Sequence, residues 1–221
     1  MKDKLILHRG YKGKYPENSN VAFENALQKG YSFETDIRVY NNKVYMKHDK
    51  VLETDKDLCS LDVLCDMIGN SESNNNSIFL HIKELKDVYE TMKILEKYNI
   101  KSRIKLFGCD EITLDLIDLV KYKFSEYNVG IHCYEDNNFT EEDFRKADFI
   151  WADEISKKNV DSKLINLANK IGNQIYTISP ELISQSVFNK NIEKRWEELL
   201  KMNVDGICTD KPEEFEKFKI N

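Results

Sequence analysis

Two kinds of apolar pattern alternate along the chain. Short runs that are apolar throughout, or apolar at every second position, read as strands; stretches with apolar residues three and four apart read as helices. Strand-like runs fall at 4–7, 32–39, 77–82, 103–107, 128–134, 148–152, 174–178 and 204–208. Between them lie amphipathic stretches at 21–29, 85–98, 114–124, 162–171, 193–201 and 212–218. This βα alternation predicts a parallel sheet covered by helices, and eight strand-like runs point to a closed (β/α)8 barrel in one domain spanning 1–221; a doubly wound open sheet is the alternative. The stretch VYNNKVYM at 39–46 interrupts the rhythm and is expected to form a hairpin turning at Asn41 and Asn42. The polar segment GNSESNNNS at 69–77 is expected to be a surface connection. There is no internal repeat and no dividing linker.

Composition changes this picture mainly by exclusion. With 221 residues, 41% of them hydrophobic, the chain can bury a full core. A net charge of −6, with only five Arg among 33 basic residues, argues against a nucleic-acid binder. The apolar run Leu5 to Leu7 is too short for a signal-peptide core, and no segment approaches a membrane span. A soluble, cytoplasmic protein without stable membrane insertion is therefore expected. The pattern does not fix an oligomeric state. Five cysteines, odd in number and without a C-x-x-C pair, suit reduced core thiols.

In a parallel α/β barrel the C-terminal ends of the strands converge on one mouth, so the polar residues at those ends carry the candidate chemistry. The first strand ends in His8 and Arg9; the second carries Glu34 and Asp36, two apart and so on one face; the hairpin ends in His48 and Asp49. The next strand, IFLHIKE at 78–84, places His81 and Lys83 on one face and Leu80 and Ile82 on the other. Two buried carboxylates at i and i+2 repel each other unless a cation lies between them, and oxygen ligands of this type suit Mg, Ca or Mn. The pair His8 and His48 offers a proton acceptor and a proton donor near neutral pH. With Arg9 and Lys83 adding positive charge, the set describes a site for phosphoryl chemistry on a small molecule. Each member also has a plain structural reading: His8 as a core histidine, Glu34 and Asp36 paired with rim lysines, His48 as an exposed hairpin residue. Trp151 and Asp153, in WADE, share a face at the end of the sixth strand-like run, where Trp151 is either a stacking platform or a core aromatic. His132 and Tyr134 are left unassigned.

The segment from His8 to Asp49 resembles the opening signature of the glycerophosphodiester phosphodiesterase family: H-R-G, P-E-N-[ST], A-F, a glycine, E-x-D and H-D, in order. VDGICTDKPEEF at 204–215 is similar to that family's closing D-G-x-x-T-D-x-P. The resemblance covers about a quarter of the chain. It implies His8 and His48 as general acid and base, Glu34 and Asp36 as metal ligands, Arg9 on the phosphate, and Glu17 and Asn18 as the P-E-N residues that shape the substrate site. It implies hydrolysis of a glycerophosphodiester to glycerol phosphate and an alcohol, through attack by the neighbouring glycerol hydroxyl, with one divalent cation. The chain departs from the family where E-x-K is usual: Lys83 matches the phosphate-facing lysine, but His81 stands in place of the third metal-binding glutamate. An imidazole there favours Mn, Zn or Fe over Ca. A short segment after Asp49 implies a short lid over the leaving alcohol. The alternatives are a catalytically degenerate domain that binds phosphodiesters or sugar phosphates, and a phospholipase-type phosphodiesterase on the same barrel.

Overall fold

The β-branched and aromatic runs form nine strands in one sheet, eight of which close on themselves. In the computed structural model, which describes residues 2–73 and 75–218, these are β1 (Leu5–Leu7), β2 (Ser32–Tyr40), β3 (Lys43–Met46), β4 (Ile78–Ile82), β5 (Ile104–Gly108), β6 (Asn128–Cys133), β7 (Phe149–Ala152), β8 (Gln174–Ile178) and β9 (Gly206–Thr209). β1 pairs with β9 on one side and β2 on the other, so the ring is complete and every barrel pairing is parallel. The closed barrel, not the open sheet, is the architecture. β3 stands outside the ring, antiparallel to β2 through Tyr40 and Lys43. Asn41 and Asn42 take left-handed φ values of 50° and 58°, as a two-residue hairpin turn requires.

Among the described residues eight helices wrap the barrel: α1 (Asn20–Gln28), α2 (Leu61–Asn70), α3 (Val88–Leu95), α4 (Thr113–Lys123), α5 (Glu141–Lys146), α6 (Ser162–Ile171), α7 (Ile192–Lys201) and α8 (Pro212–Lys217). α6 matches its expected span because both ends are written in the sequence: Asp161 accepts from the Lys163 and Leu164 amides, and Gly172 closes the helix at φ 83°. α2 and α5 were not expected. In α2, Leu61, Leu64, Cys65 and Ile68 form a buried stripe behind the Ser60 cap, a helical pattern hidden by the polar run before it. Gly69 and Asn70 continue this helix rather than beginning the surface connection, and Asn74 of that connection lies outside the described residues. α5 is one and a half turns held by a Thr140/Asp143 capping box, too short to show periodicity. The expected helix over 85–98 divides into a 3-10 turn at Leu85–Asp87 and α3, which stops at Leu95.

Two apolar layers result. The larger lies between barrel and helices; the smaller fills the barrel with Ile6, Phe79, Phe107, Phe149, Trp151 and Tyr176, joined by Ile178 and Cys208. Gly130 is required for this filling, because a Cβ there would lie 2.2 Å from the Phe149 ring. The four cysteines Cys59, Cys65, Cys133 and Cys208 are buried, Cys109 is partly exposed, and all five are free thiols. No helix among the described residues is long and apolar enough to cross a membrane.

Candidate active site

The barrel filling stops short of the C-terminal mouth, leaving a cavity of ≈ 400 Å³. His8, Arg9, Glu34, Asp36, His48, His81, Lys83 and Trp151 all line it, which brings together every expected catalytic and metal-binding residue. A larger cleft of ≈ 720 Å³ on the outside, between α1 and the end of α2, has Glu24, Lys29 and Glu72 as its charged members and gathers no histidine or cysteine.

The turn after β1 sets the first residues. Gly10 adopts φ 86° against Phe23, where a Cβ would come within 2.9 Å of the ring, and its amide donates to Glu34 O. Arg9 is itself left-handed (φ 49°), as is Asn18 (φ 54°), whose amide donates to Arg9 O. This fold-back puts Arg9 beside β2. Its Nη1 donates to Glu17 at 2.9 Å and its Nε lies 3.3 Å from Asp36 Oδ2. Asn18 Nδ2 donates to the same Asp36 oxygen at 3.0 Å, while its carbonyl accepts from Thr35. Glu17 and Asn18 therefore stand behind the cavity and hold Arg9 and Asp36; neither lines it.

His8 and His48 each have a carboxylate on one ring nitrogen. His8 Nδ1 is 2.9 Å from Asp210 Oδ1, just past β9, and His48 Nδ1 is 3.0 Å from Asp49 Oδ1. A carboxylate at Nδ1 fixes the tautomer with Nε2 as the free nitrogen, able to take or return a proton. Burial works against the Asp210 charge, but the hydrogen bond and charge of His8 together with Lys12 prevail and keep the carboxyl below its usual range. Asp210 was not singled out from the sequence, although it follows a strand and sits within the T-D of the closing motif, so the strand-end rule reaches it.

Glu34 and Asp36, buried, and His81, half-buried, form the centre, with one donor atom of each within 4.8 Å of the others. Burial and then Asp36 push the Glu34 carboxyl up to about 7. Asp36 moves the other way: burial opposes its charge, but Lys83 at 2.7 Å and Arg9 prevail and lower it. Lys83 Nζ also donates to His81 Nδ1 at 2.9 Å. Burial, then the Lys83 charge, hold His81 well below its ordinary value, so the imidazole is neutral. The plain reading of Asp36 as a carboxylate paired with a lysine is thus met inside the site. Two carboxylates and a neutral imidazole, one carboxyl pushed up by burial and then by the other, are a donor set that fits a divalent cation.

The opposite wall carries residues the sequence did not assign. His132, 2% exposed, has Nδ1 3.0 Å from Gly108 O and Nε2 3.0 Å from Asp153 Oδ2. The second Asp153 oxygen accepts from Trp151 Nε1 at 3.0 Å. Phe107 lies stacked between His81 and Trp151, at ring separations of 4.4 and 4.5 Å. Trp151 is thus both part of the cavity lining and part of the barrel filling.

Fold and site together define a (β/α)8 barrel whose mouth carries paired imidazoles, buried carboxylates and two cations. No protein-family model matches the chain. A 51-residue stretch is 41% identical to a glycerophosphodiester phosphodiesterase of Bacillus altitudinis, covering 22% of this chain and about a fifth (21%) of that relative. Among solved structures, a putative glycerophosphoryl diester phosphodiesterase from Silicibacter pomeroyi matches with TM-score 0.76 at 13% identity, over 97% of this chain and 92% of its own. The Agrobacterium tumefaciens glycerophosphodiester phosphodiesterase matches with 0.71 at 17%, over 96% and 98%. An Oleispira antarctica phosphodiesterase in complex with the product sn-glycerol-3-phosphate matches with 0.74 at 14%, over 96% and 95%. The chain shares the fold of these three solved structures over nearly its full length, and resembles the Bacillus altitudinis protein in sequence over that single 51-residue stretch.

Proposed function

We propose that the chain is a phosphoric diester hydrolase that cleaves a glycerophosphodiester to glycerol phosphate and an alcohol. The observation that carries this reading is two histidine–carboxylate pairs facing one cavity with Arg9, Lys83, His81 and the buried Glu34 and Asp36. A neighbour in fold that holds glycerol phosphate as its product supports it.

In this reading Arg9 and Lys83 hold the phosphodiester oxygens and offset the charge that develops on them. One of His8 and His48 takes the proton of the glycerol hydroxyl that attacks phosphorus; the other gives a proton to the departing alcohol oxygen as its P–O bond breaks. The resulting cyclic phosphate is opened by water, with the two histidines exchanging roles. Glu34, Asp36 and His81 would hold one divalent cation, Mg, Ca, Mn or Zn, which when bound supplies charge to the phosphate and the attacking hydroxyl. Asp210 and Asp49 keep the imidazoles in the working tautomer.

The bond between Lys83 and His81 favours a second reading, a domain that binds a phosphodiester without cleaving it, because the ligating nitrogen is already engaged. Release of glycerol phosphate from a panel of glycerophosphodiesters, with each cation and with chelator, separates the two. Cation-dependent release that vanishes in His8→Ala is expected; binding without release under every cation would establish the second reading.

A further inference from the structure

The two walls of the cavity differ in what they leave available. On the β1, β2 and β4 side, cations and imidazole nitrogens face the cavity. On the β5, β7 and β8 side, the polar groups are already used by one another. Asp153 accepts from Trp151 on one oxygen and faces His132 with the other, and both His132 nitrogens have acceptors. Glu181, in the turn after β8, accepts from Thr209 Oγ1 and the Asp210 amide on one oxygen and from the Ser179 hydroxyl on the other. The aromatic faces are taken too, since Phe107 has His81 on one side and Trp151 on the other, and Phe79 lies against Trp151 at 5.3 Å. What remains toward the cavity is aliphatic: Ile155, Ile178, Leu182 and Ile183, with Leu182 and Ile183 seated on the barrel filling.

From this we infer that the leaving alcohol is apolar and uncharged, an alkyl or aryl group rather than a choline, an ethanolamine or a polyol; the inference rests on the phosphodiesterase reading. A quaternary ammonium is recognised by an open aromatic face or an unpaired carboxylate, and on this wall the Phe107 and Trp151 rings and the Asp153 carboxylate are already engaged. A polyol needs free donors and acceptors and would otherwise bury its hydroxyls unpaired. Tyr134, whose ring leans on His132 at 4.9 Å, supplies one hydroxyl at the rim, too few for a sugar. An alkyl group instead removes the four aliphatic side chains from water together with itself.

The test is a matched pair: glycerophosphocholine and the glycerophosphate ester of 3,3-dimethylbutanol, which has the shape of choline without its charge. Choline is the better leaving group, so chemistry alone favours the choline ester. The expected result is a kcat/KM at least tenfold higher for the neutral ester, with n-alkyl esters improving from methyl to hexyl. Ile183→Asn, or Leu182→Gln where that variant folds poorly, should lower the hexyl-to-methyl ratio within the same protein. An equal or faster choline ester, or a flat alkyl series, overturns the inference alone; no release from any of these esters overturns the phosphodiesterase reading and this inference with it.

Discussion

Lys83 donates a 2.9 Å hydrogen bond to Nδ1 of His81. An ammonium can only donate, so Nδ1 is the bare nitrogen and Nε2 carries the proton, 3.5 Å from Cys109 Sγ. Nδ1 also lies 3.9 Å from Glu34 and 3.8 Å from Asp36, on the side where a metal would be held. His81 thus presents one lone pair to two cations, the tethered lysine and any divalent ion. Replacing it with a carboxylate supplies enough acceptor oxygens for both. His81→Glu is expected to tighten Ca and Mg binding by about tenfold or more, read by calorimetry and by the rise in melting temperature with cation concentration. Unchanged affinity would show that position 81 is not a ligand.

In the proposed reaction Asp210 acts only through His8. Asp210→Asn leaves a hydrogen bond in place but permits the wrong tautomer, so kcat should fall by about 10²-fold or more while KM changes little. His8→Ala and His48→Ala should each lose at least as much. Full kcat in Asp210→Asn, measured across a pH profile, would remove Asp210 from the mechanism.

How much of this was legible beforehand follows from what each residue does. Glu34, Asp36, His81 and Lys83 were found because strand alternation places them on one face, a rule that needs no tertiary knowledge. Asp210 and Asp153 follow strands adjacent to those of the histidines they meet but lie 202 and 21 residues away in sequence, so strand-end position marks them as candidates without saying which histidine each one meets. Leu182 and Ile183 look like any aliphatic pair in a loop; only closure of the barrel turns them toward the cavity. The apolar stripe of α2 is regular, but the polar stretch before it masks the helical period in the sequence.

A second ion pair holds the scaffold. Arg195 on α7 grips Glu154 just past β7 with two bonds, of 2.8 and 2.6 Å, at 2% and 4% side-chain exposure. Glu154 also accepts the Asn159 and Val160 amides. Removing one partner strands the other charge, so Arg195→Met should cost about 3–5 kcal/mol of unfolding free energy in urea denaturation. The double variant with Glu154→Gln should recover part of that loss; no recovery would mean that the arginine stabilises by packing alone.

Asp87 gives the stability a pH dependence. It is 1% exposed, neither carboxylate oxygen makes a well-formed hydrogen bond, and burial, then Glu84, push it up to about 6 against the pull of Lys86 and the Val39 amide. A carboxyl raised in the folded state contributes fully below its unfolded value near 4 and loses that contribution as pH rises through about 6. Asp87→Asn, which cannot ionise, should therefore gain about 1–3 kcal/mol over the natural chain at pH 8 and little at pH 4. Melting curves at the two pH values check this; an equal difference at both would mean that Asp87 does not titrate in this range.

Because β9 inserts between β8 and β1, the ring closes through contacts between opposite ends of the described chain. Asp210 leaves the ribosome about two hundred residues after its partner His8. A nascent barrel lacking β9 holds the histidine, the E-x-D carboxylates and Lys83, yet cannot fix the imidazole. The candidate chemistry is thereby tied to closure of the ring, because His8 meets its carboxylate partner only where β9 stands beside β1.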